Sequence, residues 1–154
     1  MKEKTKTLTR EMLIEKMSRG MAFTSKLSFI ENYAMFMGKT QLIEFKLKKI
    51  LSIRFCFSKS KLEKMTLGGA ISELEKLGVR KDFISILRSL NKRRINMAHE
   101  FFVDHSALVA LDRRFGRLSW KPLRNALAEV EQASHVFDFL NQNKYLFKRQ
   151  IKTY

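Results

Sequence analysis

Arg94 and His99 stand with four residues between them in the stretch Lys92-Arg93-Arg94-Ile95-Asn96-Met97-Ala98-His99-Glu100-Phe101. An imidazole takes and gives protons near neutral pH. A guanidinium is a fixed positive charge whose planar fork of donors fits phosphate. Acid–base and charge-stabilising groups placed this close on one segment suit chemistry on a phosphate ester. Arg94 also falls where the apolar pattern expects a core residue, a position where an unpaired charge is costly.

The segment that positions the pair reads as a long amphipathic helix from about Lys81 to Phe102. Phe83, Leu87, Leu90, Ala98 and Phe101 form one stripe at helical spacing. At about 100° per residue, Arg94 lies in the middle of that stripe and His99 about 140° round, at its margin with Ile95 and Phe102. Five other helices surround this one. A short helix covers about residues 9–18, and Gly20 is expected to end it. A second begins near Thr24 or Ser25 and extends towards Phe57, with Gly38 as the point where a break would fall. Ile43, Leu47, Ile50 and Phe57 give its buried line. Residues 58–64 read as a polar connection. A third helix covers about Leu67 to Leu77, with Gly78 as its C-terminal signal. After Asp104, a short helix from Ser106 to Phe115 is expected. A last helix, about 121–149, has Pro122 in its first turn and Leu123, Leu127, Val130, Phe137 and Leu140 along its buried side. The expectation is an all-α, antiparallel bundle of four to five main helices in one domain, 1–154.

Composition narrows the function. Hydrophobic residues make up 45% of the chain, enough for a packed core and too many for a disordered one. Thirteen Phe and eight Met supply large, adaptable packing surfaces. The formal net charge of +16 calls for a neutralising partner, nucleic acid first, with an anionic membrane or an acidic protein as the other classes. Cys56 is the single cysteine, so no disulfide forms within the chain, which points to a reducing interior. No apolar run is long enough to span a bilayer, and no apolar segment follows the charged start. No membrane association and a cytoplasmic location are expected. Phosphate-binding loops, dinucleotide fingerprints and zinc-finger spacings are absent from the sequence. Without spaced carboxylate or cysteine partners, His105 and His135 read as structural. No metal and no cofactor are expected.

Arg-Ile-Asn-Met-Ala-His-Glu-Phe-Phe, residues 94–102, resembles the Arg-x-x-x-x-His signature of the HEPN superfamily, often written Arg-Asn-x-x-Ala-His-x-Phe on the third main helix. The apolar-periodic lead-in Leu87-Arg88-Ser89-Leu90-Asn91 also looks similar. Gln41-Leu42-Ile43-Glu44-Phe45 with Leu47 resembles the helix beside it. The resemblance covers about residues 24–140 and is specific over the motif. It implies a HEPN-like bundle that dimerises, with the motifs of two protomers meeting in one cleft, and metal-independent endoribonuclease activity. Arg94 and His99 then match the family's catalytic pair. Ile95 stands where the family frequently has a polar residue. A second register takes Arg93 as the motif arginine and Arg94 as its polar follower. The resemblance further implies RNA as substrate, a homodimer, and a toxin or defence role of the toxin–antitoxin kind with a cognate inhibitor protein.

Around the pair, Glu44 is a candidate partner for Arg94, with an ordinary surface carboxylate as the alternative. Arg93, Asn96 and Glu100 are candidate auxiliaries. Three basic clusters are candidate nucleic-acid contacts: Arg88 with Lys92 and Arg93; Arg113, Arg114, Arg117, Lys121 and Arg124; and Lys144, Lys148, Arg149 and Lys152. Trp120, Tyr145 and Phe147 lie among them, placed either to stack on bases or to pack. Two further function classes stay open. One is a non-catalytic HEPN-like module that binds protein or nucleic acid. The other is a basic helical DNA-binding protein, which would need a helix able to enter a groove.

Overall fold

The computed structural model describes residues 7–101 and 120–147. Glu100 and Phe101 are described in backbone only. The short helix expected at 106–115, with His105, Arg113, Arg114 and Arg117, lies outside the described residues.

The described chain is helical. Helix α1 is Arg10–Ala22, followed by a 3-10 turn at Thr24–Lys26. Helix α2 is Phe29–Phe55, α3 Lys59–Lys64, α4 Leu67–Lys76 and α5 Lys81–Asn96. A π turn continues α5 through Met97–Phe101, and α6 is Trp120–Gln142. Among the described residues there is no strand, only an isolated antiparallel bridge between Val79 and Phe147.

Local chemistry fixes the starts. Thr9, Ser28, Ser58 and Thr66 each accept a hydrogen bond from a first-turn amide. At α2 the cap is reciprocal, because Glu31 also accepts from the Ser28 amide. Gly78 adopts φ 86°, the left-handed turn expected after α4. Side chains from α2, α4, α5 and α6 fill the core, including Phe36, Leu47, Leu67, Leu74, Phe83, Leu87, Leu123 and Val130.

Four expectations change. Helix α1 runs through Gly20 to Ala22. There the missing side chain leaves room for the Glu131 carboxylate, whose Oε2 would lie 2.5 Å from a Cβ at that position. Helix α2 passes Gly38 without a break. Burial of residues on both sides holds it, outweighing the modest helix preference of one glycine. Residues Lys59–Lys64, expected as a connection, form the helix that Ser58 caps. The last helix stops at Gln142 rather than near 149. Lys144 turns left-handed with φ 58°, and the Arg80 amide donates to the Leu146 carbonyl at 3.1 Å. That return buries Leu146 beside α5, and residues 148–154 lie outside the described chain.

Helix α1 has no fully buried residue and lies along α6. At this contact Lys39 pairs with the buried Glu131, and the side chain of His135 is 27% exposed. The Nε2 atom of His135 makes no hydrogen bond, although Glu131 Oε2 stands 3.5 Å away. Burial, then the Lys16 charge and the smaller Lys39 charge, hold the imidazole below its ordinary 6.5; Asp138 and a backbone hydrogen bond to Lys16 oppose them. The unfolded chain therefore binds more protons there than the folded one. This contribution to stability is full above about 6.5 and is lost as pH falls through the window beneath it. Carboxylates such as Asp82, held low by Arg80, act only at more acidic pH. Thermal unfolding of wild type should show a lower Tm as pH is taken from neutral towards 5, and His135→Gln should flatten that slope. An equal slope in both proteins would count against this account of the α1–α6 contact.

Candidate functional site

Phe83, Leu87 and Leu90 of α5 are fully buried, and their line leads to Arg94 in the last turn. Arg94 is half-buried there, as the stripe requires. Among the described residues no carboxylate pairs with it. Glu44, its candidate partner, instead pairs with Lys48 on α2 at 2.7 Å, with a side chain 19% exposed. A lysine four residues on is the nearer cation, so the carboxylate is satisfied within its own helix.

Past Asn96 the backbone widens into the π turn. Met97, seven residues after Leu90 and three after Arg94, continues the buried line at 2% exposed, and Ala98, expected in the core, is exposed. The Tyr33 hydroxyl on α2 donates to the Met97 carbonyl at 2.9 Å and ties this turn to the bundle. His99 lies in the turn with its side chain exposed. Turns of this kind are rare and concentrate where a helix presents functional groups. The structure thus puts Arg94 and His99 on one continuous helical segment, one at the core's edge and the other in solvent, without a hydrogen bond between them.

Arg93 is engaged differently. Its guanidinium donates to both Glu129 oxygens on α6, Nη2 to Oε1 at 2.6 Å and Nε to Oε2 at 3.4 Å. That hydrogen-bonded pairing raises its pKa above the ordinary arginine value. Arg93 therefore fastens α5 to α6, whereas Arg94 has no ion pair among the described residues. Glu129 was not singled out in the sequence. Its i,i+4 neighbours on α6 carry no signal for a partner on α5.

The other candidates divide. Arg88 pairs with Glu75 on α4. Lys92 and Asn96 are exposed, and Lys92 has no ion pair among the described residues. Lys121 and Arg124 are exposed on the first turns of α6. Arg124 and Trp120 line a shallow hollow with Met21, Thr24 and Asn32. The aromatic candidates are occupied in packing. Trp120 meets Phe29 edge-on, centroids 5.4 Å apart. Tyr145 packs on Phe139, and Phe147 on Phe55 with Arg54 above its ring. Lys144 is exposed at the end of α6.

Two hollows flank α5. The larger, about 880 Å³, lies at its start and has an apolar floor of Leu13, Ile86, Val136 and Phe139. Its rim includes Arg80 and Asp82, which satisfy each other. Lys81, Lys144 and Tyr145 also line it. The smaller, about 190 Å³, lies between the first turn of α4 and the later turns of α5 and has mixed polar and apolar walls. Among the described residues no cluster of His, Cys, Asp and Glu could hold a metal ion, and no helix is long and apolar enough to cross a membrane. No known family pattern, curated protein or solved structure matches the chain.

Proposed function

We propose that this protein is a metal-independent endoribonuclease of the HEPN type, built as a HEPN-like bundle and working as a homodimer with a composite cleft. The observation that carries the reading is the motif segment itself. A half-buried guanidinium without a carboxylate partner among the described residues ends the apolar stripe of α5, and an exposed imidazole follows in the π turn. In the proposed reaction His99 moves a proton at the 2′-hydroxyl or the leaving oxygen. Arg94 stabilises the charge that gathers on the phosphorane. The pair-bound Arg93 holds the segment in place. The net charge of +16 favours a polyanionic substrate.

Arg94 stands half-buried at the core's edge and His99 exposed in solvent, so a phosphate meets both most readily where two motif segments face each other. The outward apolar residues Leu42, Phe45 and Ile53 of α2, all more than half exposed, supply surface that association would cover. Sedimentation at micromolar concentration should give a dimer. A strict monomer across that range would remove the composite cleft. The role that fits such a nuclease is a toxin or defence effector restrained by an acidic cognate inhibitor.

One observation favours a second reading, a non-catalytic HEPN-like binding module. Ile95 is 47% exposed where the family frequently places a polar residue. Incubation of the protein with a mixed RNA pool in EDTA separates the two. The nuclease leaves fragments ending in a 2′,3′-cyclic phosphate or its hydrolysis product; the module leaves the pool intact.

A further inference from the structure

The small hollow beside α5 combines two carboxamides and a lysine with isoleucine walls. It is lined by Gly68 and Ile71 of α4 and by Arg88, Asn91, Lys92, Ile95 and Asn96 of α5. The Asn91 side chain is half-buried and the Asn96 carboxamide exposed, and neither has a hydrogen-bond partner among the described residues, so both keep donors and an acceptor for a ligand. Gly68 keeps the mouth open. A Cβ there would stand 3.1 Å from Asn91 Nδ2 and press the amide aside. Ile71 is buried at the base and Ile95 is exposed at the edge, so the hollow has apolar walls between its two amides. Lys92 adds a cation without an ion pair among the described residues.

These residues lie next to the candidate imidazole along the chain. Ile95 and Asn96 precede His99 by four and three residues, at the end of α5 where the π turn begins. We infer that this hollow is a subsite for one unpaired base of a single-stranded RNA, placed along the motif helix from His99. The inference rests on the ribonuclease reading and adds to it the way the substrate is read. The carboxamides supply the paired donor and acceptor that recognise a base edge, the isoleucines contact its faces, and Lys92 meets the adjoining phosphate. The cavity of about 190 Å³ has room for a single base and not for a base pair. Recognition of this kind requires an unstacked nucleotide, which restricts the substrate to loops, ends and single strands.

The test measures binding of four 2′-fluoro oligonucleotides, each a uridine tract with one central A, C, G or U. They lack the 2′-hydroxyl and so survive an active nuclease. Wild type should separate the strongest and weakest of the four by roughly tenfold, and Asn91→Ala and Asn96→Ala should each bring that ratio to about twofold or less. Lys92→Ala should weaken all four equally and leave the ratio unchanged. Asn96 is exposed, so its variant keeps the test independent of folding. Binding with no base preference, or a preference that survives both asparagine changes, overturns the subsite and leaves the ribonuclease reading standing. Failure to bind any of the four overturns both.

Discussion

RNA affinity of this protein should fall by roughly three to five orders of magnitude between about 50 and 200 mM salt, given about six to ten phosphate contacts. Each cation that meets a phosphate releases condensed counterions, and that release weakens as bulk salt rises. The net charge of +16 leaves many cations unpaired, and Lys92, Lys121 and Arg124 are exposed towards one end of the α5–α6 pair, where the last turns of α5 meet the first turns of α6. By contrast Arg88 and Arg93 are held by Glu75 and Glu129. Replacing Lys92 or Arg124 should therefore lower the slope of log affinity against log salt by about one each, and replacing Arg93 should act on stability first. Titration of a short single-stranded RNA at several salt concentrations supplies the slope. A flat dependence would redirect attention to a protein partner with an acidic surface.

Loss of either motif side chain should reduce RNA cleavage by roughly a hundredfold or more with the bundle still folded. The two losses have different physical origins. His99→Ala removes the group that transfers the proton, and because its side chain is exposed the substitution opens no cavity. Arg94→Ala removes charge stabilisation of the phosphorane. Arg94→Lys should not restore full activity, since an ammonium is a point charge without the planar fork. Arg94 is half-buried at the end of the stripe, so circular dichroism and thermal melting must accompany its kinetics. A variant that melts with wild type yet fails to cleave places the loss in the chemistry.

Periodicity made the buried stripe of α5 legible as far as Leu90, together with the half-burial of Arg94, because both follow from the spacing of apolar residues on a regular helix. It failed at the end of the stripe. Met97, three residues after Arg94, is buried there and Ala98 is exposed, a choice between neighbouring apolar residues that spacing alone leaves open. Tyr33, which ties the π turn to α2, lies 64 positions earlier in the chain and reads in sequence as one more aromatic. Gly20 was misread for a related reason. A glycine near a helix end usually signals its stop, but here it makes room for a buried carboxylate on another helix. Glu44 shows the limit of matching charges by type, since a lysine four residues away satisfies it before any distant arginine does.

The most direct measurement is cleavage of one mixed RNA pool, in EDTA, by wild type and by His99→Ala, with folding of both checked by circular dichroism. The account predicts metal-independent cleavage by wild type, products ending in a 2′,3′-cyclic phosphate or its hydrolysis product, and a loss of roughly a hundredfold or more in the folded variant. Equal activity in the two proteins would contradict it.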